Sequence, residues 1–453
     1  MAKSSRKRNT PRADPSEYTP HYAYKSAGRG ASRVRELYCE GVSLEKIAEA
    51  VGTPAYVYSK RSIEDAYRAL DRSFGALPHM LCYAMKANSN LSVLRVLARL
   101  GSGFDIVSGG ELDRLRRIGV PGNRIVFSGV GKTREEIRDA LRYGEKNVRR
   151  SGILFFNVES EPELEVLLSE AAKHVSAGGL PPAAAIRVNP DVKAGGHPHI
   201  STGSHHHKFG VDWITARDLY LGNKDSRWIS WRGISAHIGS QIFDIGAYRR
   251  ALERLASYFR ELARRGIALD HIDIGGGLGI RYADETPLSP AVYAQTLSKI
   301  VRLLDCKLLI EPGRSLVGPS GVLLSRVIYV KENRGKTFVI VDAAMNDLIR
   351  PVLYDATHPI TKVRRGAENK PVGKIVDVVG PVCESADFLA RDRSFEPVQP
   401  GDLVAVWAAG AYGFTQSSNY NSRRRLAEVL VEGRQFRVVR RRQTYSDLVR
   451  GEE

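Results

Sequence analysis

The chain of 453 residues is long enough for two or three domains, and its hydrophobic content of 43% is ordinary for a globular protein with a large core. No stretch reaches the roughly 18 apolar residues of a membrane span, and the first residues lack the apolar segment of a secretory signal. The net charge of +18 raises the question of a nucleic-acid partner. Short basic runs lie in the first residues and at 423–425 and 440–442, but the remaining basic residues are scattered among acidic ones, so we expect none.

The cysteines and the N-terminal segment indicate in which cellular compartment the protein is expected. Cys39, Cys82, Cys306 and Cys383 stand far apart without metal-ligand spacing, so we expect free thiols in a reducing cytoplasm. Residues 1–30 form a basic segment with Pro and Ser, which we expect to be a disordered leader. Its acidic residues weaken the alternative of an organellar transit peptide.

The next segment, 31–58, is expected to pack with a C-terminal β-domain. Residues 33–50 have the apolar spacing of a short helix, with Leu37, Leu44 and Ile47 on its apolar face. The apolar run at 55–58 is predicted to be a strand.

From residue 59 to 315, strand-like and helix-like segments alternate, which is the signature of a (β/α)8 barrel of the TIM type. A doubly wound open sheet would show the same alternation, and the pattern alone leaves it open. Helical periodicity appears at 91–100, 111–118, 134–143, 162–174 and 248–265. The predicted strands are 80–85, 104–108, 125–128, 153–158, 184–188, 234–238, 271–274 and 308–310.

After residue 315 the pattern changes to short, Val-rich segments bounded by Gly, Pro or Asn. This is typical of a mostly antiparallel β-domain, which we expect over 316–453. Its predicted strands are 321–330, 336–342, 373–379, 402–407 and 434–439.

Chemically active residue types follow several of the predicted barrel strands. Lys86, Asp105, His237, the glycines 275–277 and Glu311 all lie at or just past a strand's C-terminal end. Barrel enzymes place their chemistry on that face, which favours the barrel over the open sheet. A partly desolvated lysine there loses its proton more readily and becomes an amine nucleophile. Taken alone, however, Lys86 is better explained as an ordinary surface lysine.

Each remaining residue also has a structural explanation. Glycines 275–277 let backbone N–H groups approach a phosphate, or they simply make a tight turn. Glu311 can keep a pyridine nitrogen protonated, or pair with an arginine. His237 can stack on a planar ring, or it is a satisfied core histidine. Three consecutive histidines, His205–His207, cannot all turn toward one ion on a regular element, so we expect no metal site.

Six further motifs follow Lys86 in register. They are His237-Ile238-Gly239-Ser240-Gln241, Gly275-Gly276-Gly277-Leu278-Gly279, Glu311-Pro312-Gly313-Arg314, Arg350 with Leu353-Tyr354, Cys383-Glu384-Ser385, and Ala411-Tyr412-Gly413. In this order, from about residue 35 to about residue 440, the chain resembles the diaminopimelate decarboxylases. These are pyridoxal 5'-phosphate enzymes of the alanine-racemase-like fold type.

The resemblance implies a role for each motif. Lys86 would carry the cofactor as a Schiff base, His237 would stack on it, Glu311 would face the ring nitrogen, and Cys383 would return a proton. Cys383 reaches the neighbouring subunit's active site in such enzymes, so the resemblance also implies a homodimer with shared sites. The implied cofactor-binding residues are Lys86, Asp105, His237, Ser240, Gly275, Gly276, Gly277, Glu311, Gly313, Arg314 and Tyr412.

The predicted substrate depends on which side chains are available to bind the end of the molecule that does not react. Ornithine ends in a bare ammonium, whereas meso-2,6-diaminopimelate also carries a second carboxylate, which suits an arginine fork. The decarboxylases of polyamine precursors typically have aspartate after the cysteine, where this chain has Glu384. The implied substrate-binding residues are Arg314, Arg350, Tyr354, Glu384 and Tyr412.

The expected reaction is therefore decarboxylation of meso-diaminopimelate to L-lysine and CO2, the last step of lysine biosynthesis. The main alternative is an ornithine- or arginine-type decarboxylase of the same fold. A racemase would need a catalytic tyrosine opposite Lys86 and would not need the Cys383-Glu384 segment. A regulator without catalytic activity would be expected to lack the lysine, the cysteine or the phosphate glycines, and this chain keeps all three.

Overall fold

The computed structural model describes residues 13–27, 34–144, 152–192, 208–366 and 373–453. They fall into two compact units. The barrel unit comprises Ala66–Gly279 and Pro287–Ser315, and the β-unit comprises the chain up to Asp65, Ile280–Thr286 and Leu316 onward. Compared with the predicted boundary at 59, the barrel unit begins later, and residues 280–286 belong to the β-unit.

The N-terminal part of the β-unit corrects two predictions. Residues 34–39 are a strand and not the first half of a helix; the helix begins only after Ser43, whose side chain accepts a hydrogen bond from the Lys46 N–H. Within 1–30, the predicted disorder is wrong for residues 15–18 and 22–27, which are ordered by pairing with that strand and by local caps. The elements are α1 (Pro15–Tyr18), β1 (Tyr22–Ala27), β2 (Val34–Cys39), β3 (Val42–Ser43), α2 (Leu44–Val51) and β4 (Ala55–Ser59).

The barrel unit is built on a closed barrel of parallel strands, so the (β/α)8 prediction is confirmed and the open sheet is wrong. Closure comes from hydrogen bonds between the fifth and twelfth strands of the chain, which join Met80 to Leu309. The barrel strands are β5 (His79–Ala84), β6 (Gly103–Ile106), β7 (Ile125–Phe127), β8 (Phe155–Val158), β9 (Ala183–Arg187), β10 (Ser230–Ser235), β11 (His271–Asp273) and β12 (Lys307–Ile310).

Helices follow the strands and begin at polar caps. Asn90, Ser108 and Ser160 each accept a hydrogen bond from a backbone N–H of the first helical turn, which satisfies a donor that the helix itself leaves unpaired. The helices are α3 (Lys60–Ser73), α4 (Leu91–Arg99), α5 (Gly109–Ile118), α6 (Arg134–Leu141), α7 (Glu161–Ser176), α8 (Trp213–Gly222), α9 (Ile245–Arg264), α10 (Pro290–Val301) and α11 (Arg314–Val317).

The C-terminal part of the β-unit contains a mixed, mostly antiparallel sheet, as predicted, and strand β4 joins it. Buried Val57, Leu324, Trp407 and Val429 contribute to the core of this unit. The elements are β13 (Gly321–Asn333), β14 (Lys336–Val341), α12 (Arg350–Tyr354), β15 (Ile360–Lys362), β16 (Arg364–Gly366), β17 (Lys374–Val379), β18 (Phe388–Phe395), β19 (Leu403–Val406), β20 (Ala427–Glu432), β21 (Gln435–Arg440) and α13 (Tyr445–Leu448). Across the described residues, no helix has both the length and the apolar character that crossing a membrane requires.

Candidate active site

Lys86 lies in a single 3-10 turn, Met85–Ala87, directly after β5. Met85 and Ala87 on either side are buried, and the hydroxyl of Tyr83 donates to the carbonyl of Asn88, so the turn is held by its own neighbours. The lysine side chain is 39% exposed and its Nζ donates to Oδ2 of Asp105 at 2.8 Å. Parallel pairing of β5 with β6 sets Ala84 opposite Asp105, which brings the lysine two residues further on within reach.

Buried carboxyl groups are gathered at the same end of the barrel. Asp105 is the penultimate residue of β6, Asp273 ends β11 and Glu311 follows β12, and each is at most 7% exposed. Oδ1 of Asp105 is buried and accepts no hydrogen bond from any described residue. Lys86 forms an ion pair with Asp105, and its positive charge also acts on Glu311, whose pKa it lowers. The three carboxyl groups outnumber the lysine beside them, so a cationic ring bound here would be stabilised electrostatically.

The pKa values of two of these carboxyl groups are raised, as expected where positive charge is scarce. Burial raises the pKa of Glu311 well above its ordinary range, and the nearby carboxylates of Asp105 and Asp273 raise it further. Burial also raises the pKa of Asp273, to which Glu311 is hydrogen-bonded. Glu311 and Asp273 therefore form a hydrogen-bonded carboxyl pair in which burial disfavours the charged forms.

The glycine loop after β11 packs against two other strand ends. Gly275 and Gly277 have φ values of 71° and 99°, which side chains disfavour, and a Cβ on Gly276 would lie 2.1 Å from the carbonyl oxygen of Glu311. The N–H of Gly275 donates to Asp273 at 2.8 Å, and the N–H of Gly276 donates to Nδ1 of His237 at 3.0 Å. The binding of phosphate by this loop stays a prediction.

His237 is held in a defined state by that loop. Because the Gly276 N–H is a donor, Nδ1 of the imidazole accepts, and the ring proton of the neutral form lies on Nε2. Burial lowers the pKa of His237 well below its usual value, and the positive charges of Arg187 and Lys86 lower it further. The ring is therefore neutral and oriented, as a stacking partner should be.

The segment after β12 approaches the lysine turn. A Cβ on Gly313 would lie 3.1 Å from the Cβ of Ala87, a tight contact that glycine avoids where the two segments approach each other. Nη2 of Arg314 donates to the hydroxyl of Ser240 at 3.1 Å. The barrel unit thus brings together Lys86, Asp105, His237, Ser240, Gly275, Gly276, Gly277, Glu311, Gly313 and Arg314.

Three further polar side chains on or after neighbouring strands were not predicted from the sequence. Arg187, the last residue of β9, pairs with buried Glu159 at 2.9 Å, and its charge reaches His237. Lys132 is fully buried and donates to Glu163 at 2.7 Å and to two backbone carbonyls. Asp273 lies two residues before Gly275, inside the predicted strand 271–274, and its place near the end of that strand is the signal that could have identified it.

The β-unit carries the other predicted residues. Arg350 and Tyr354 begin and end α12, and Arg350 is 6% exposed. The hydroxyl of Tyr354 accepts a hydrogen bond from Gln416 at 3.4 Å. Tyr412 has a φ of 56°, the left-handed conformation, and the close approach of Gly413 to the hydroxyl of Tyr56 leaves no room for a side chain there.

Cys383 and Glu384 lie on an exposed loop that residues outside the predicted set hold in place. The Cys383 N–H donates to Oδ1 of Asn421 at 2.9 Å, and the Tyr420 hydroxyl donates to Oε1 of Glu384 at 2.5 Å. Asp387 closes the loop by accepting from the Val382 N–H at 2.7 Å. Both Cys383 and Glu384 are exposed, so this loop presents a thiol and a carboxylate at the surface of the unit.

The predicted absence of a metal site concerned His205–His207, which lie outside the described residues. Within the described ranges, no group of three or more His, Cys, Asp or Glu side chains is arranged to hold a metal ion.

Comparisons with known proteins agree with this geometry. Residues 60–318 match the family model described as pyridoxal-dependent decarboxylase, pyridoxal binding domain. The chain is 48% identical over 420 residues to the diaminopimelate decarboxylase of Pseudomonas aeruginosa, covering 93% of this chain and 97% of that protein. The crystal structure of the Helicobacter pylori diaminopimelate decarboxylase complexed with L-lysine superimposes with a TM-score of 0.83 at 40% identity, covering 90% of this chain and 98% of that one.

The barrel and its buried charges, with the family match, define a pyridoxal-phosphate-dependent decarboxylase. Within that class, the chain belongs to the diaminopimelate decarboxylase family. The resemblance noted from the motifs is confirmed, and so is the cofactor that it implied.

Proposed function

We propose that this protein decarboxylates meso-2,6-diaminopimelate to L-lysine and CO2, the last step of lysine biosynthesis, in the cytoplasm. The observation that carries the proposal is Lys86 at the C-terminal end of the barrel, beside a buried carboxyl cluster that is short of positive charge. The family match adds the reaction type. The free thiols of the described cysteines agree with a reducing compartment.

The residues present fit pyridoxal phosphate. Lys86 would hold it covalently, Glu311 would support its ring nitrogen, and His237 would lie against the ring, with the glycine loop, Asp105, Ser240, Gly313, Arg314 and Tyr412 completing the cofactor site. When bound, the cofactor supplies an electron sink for the pair left behind as CO2 departs. Its cationic ring would also relieve the repulsion among the buried carboxyls.

Proton transfer and substrate binding are assigned to side chains of the protein itself. Lys86, once its amine is free, is placed to take up or return a proton beside Asp105. Arg350 would bind the carboxylate of the substrate's unreacted end, with Arg314, Tyr354, Glu384 and Tyr412 completing the substrate site. Cys383, or a water that it orients, would return a proton to the carbon that lost CO2.

A direct test compares substrates. The purified protein with pyridoxal phosphate should release CO2 and L-lysine from meso-diaminopimelate and should turn over ornithine or arginine at a rate at least about 100-fold lower, because those substrates lack the second carboxylate. Arg350→Ala should lower kcat/KM for meso-diaminopimelate while leaving cofactor absorbance unchanged. Faster turnover of ornithine than of diaminopimelate would assign the chain to the polyamine-precursor branch.

We also propose a homodimer in which Cys383 and Glu384 serve the barrel of the second copy. Their exposure, on a loop held rigid by Asn421 and Tyr420, supports a role at a partner's surface. Mixing inactive Lys86→Ala and Cys383→Ala subunits should then restore activity. Half of the dimers are mixed on statistical assembly and each has one intact site, so roughly a quarter of the wild-type activity per site should return.

A matched control mixes Lys86→Ala with Glu311→Gln. Both residues lie in the barrel unit, so every site in such a mixed dimer keeps one defect and no activity should return beyond that of the parents. Subunit exchange is verified with differently tagged chains. If exchange occurs and the Cys383 mixture also stays inactive, Cys383 serves its own chain or has no role in the reaction.

A further inference from the structure

A buried histidine, His358, joins Arg350 to the backbone of the β-unit. Nη1 of Arg350 lies 2.7 Å from Nε2 of His358, and Nδ1 of the same ring lies 2.7 Å from the carbonyl oxygen of Trp407. His358 is 1% exposed and Arg350 is 6% exposed. Neither the motif search nor the family resemblance singled out this histidine.

The two hydrogen bonds determine the state of the ring. A guanidinium has donors and no acceptor, so Nε2 of His358 must accept from Arg350. Nδ1 therefore carries the proton and donates to Trp407, a residue that directly follows β19. The imidazole is neutral. Because it is hydrogen-bonded both to a carbonyl at a strand end and to the guanidinium, it fixes the position of the guanidinium relative to that strand.

An aromatic ring orients the arginine from another side. The guanidinium carbon lies 4.7 Å from the ring centroid of Tyr282, and the Tyr282 ring packs edge-on against His358 with centroids 5.1 Å apart. Tyr282 is itself buried. The imidazole and the phenol ring thus contact the guanidinium from two sides and fix its orientation.

We propose that His358 is a positioning residue that orients Arg350 for the carboxylate at the unreacted end of the substrate. The inference rests on the proposed role of Arg350 in the function given above. Bidentate recognition of a carboxylate depends on the angle of the planar guanidinium fork as well as on its charge. His358 thereby contributes to selection of a substrate with a carboxylate at that end over a diamine or a substrate ending in a bare ammonium.

Two polar substitutions test the two hydrogen bonds of the imidazole one at a time. In His358→Gln, the longer amide reaches the Nε2 position and can accept from Arg350, whereas in His358→Asn the shorter amide reaches only the Nδ1 position beside Trp407. L-lysine keeps the amino-acid group of the unreacted end, and 1,5-diaminopentane lacks its carboxylate. Binding of both compounds to the holoenzyme is measured by calorimetry, together with KM and kcat for meso-diaminopimelate.

We expect His358→Asn to weaken L-lysine binding and to raise the KM for meso-diaminopimelate by about tenfold each, as loss of one oriented charged contact predicts. The kcat should change less than about threefold and binding of 1,5-diaminopentane should stay unchanged. His358→Gln, which keeps the acceptor for Arg350 but loses the bond to Trp407, should weaken L-lysine binding less than His358→Asn does. Thr361→Val is the matched control, because Thr361 accepts from the Trp407 indole at 2.9 Å in the same buried layer. It should leave L-lysine binding intact.

The remaining outcomes contradict the inference in distinguishable ways. If Arg350→Ala weakens L-lysine binding and His358→Asn does not, the role of Arg350 stands and that of His358 fails. If Arg350→Ala itself has no effect, its proposed substrate role fails and the inference fails with it. Equal weakening of both ligands in His358→Asn, or the same loss in Thr361→Val or His358→Gln, would show a general structural effect and overturn the positioning role.

Discussion

Lys86→Ala is expected to abolish turnover and to eliminate covalent retention of pyridoxal phosphate. In the proposed site the Lys86 side chain supplies the amine that holds the cofactor, and alanine at this position has no nitrogen to replace it. In the structure the ammonium pairs with buried Asp105, so the substitution also leaves that carboxylate without its 2.8 Å partner. Activity should fall to background while the absorbance of protein-bound cofactor disappears.

The matched control for this substitution is Lys132→Ala. Lys132 is the more buried lysine at the same end of the barrel, but its Nζ is committed to Glu163 and to backbone carbonyls. Its loss should destabilise the protein by about 3 kcal/mol, since it leaves a buried carboxylate unpaired, and should not prevent covalent cofactor retention. Borohydride reduction and peptide mapping identify the modified lysine; a label on Lys208 or any residue other than Lys86 would refute the assignment.

Glu311→Gln is expected to leave the cofactor bound but to lower kcat by orders of magnitude. A neutral amide cannot keep the ring nitrogen protonated, and each 1.36 kcal/mol of lost transition-state stabilisation is about tenfold in rate. The raised pKa of Glu311 results from burial and from Asp105 and Asp273, so the substitution also removes one member of a hydrogen-bonded carboxyl pair. Stopped-flow single-turnover rates measure the chemical step apart from product release.

Glu170→Gln provides the comparison. Glu170 is as buried as Glu311, but it lies on the outer helix α7, where it pairs with Arg134, Arg138 and Lys173. Its substitution should leave the single-turnover rate near that of the wild type. A Glu311→Gln enzyme that binds cofactor and turns over at a similar rate would show that Glu311 does not support the ring nitrogen.

Much of the barrel was predictable because its signals are local. Each parallel strand is buried on both faces and reads as a short apolar run, and each amphipathic helix carries its own polar caps. The residues at the strand ends were predictable for the same reason, since Lys86 and Glu311 directly follow recognisable strands. The roles of these residues came from the resemblance to a family and not from periodicity.

The errors fell where partners distant in sequence decide the local structure. Residues 34–39 have apolar side chains at helical spacing, but pairing with 22–27 and with 364–366 makes them a strand. The intrinsic preference of such a short segment is weak, and hydrogen bonds from two neighbours outweigh it. The strands at 388–395 and 427–432 were missed because mixed exposure or continuous burial hides any alternation.

The sequence by itself determined the class of fold, the order of the motifs and the position of Lys86 just after a strand, because apolar patterning and short motifs are properties of contiguous residues. Only the tertiary structure showed that Asp105, Asp273 and Glu311 form one buried carboxyl cluster, and that His358 joins Arg350 to the backbone carbonyl of Trp407. These residues lie far apart along the chain, and their pKa values, protonation states and orientations depend on distances and burial that exist only after the strands have closed.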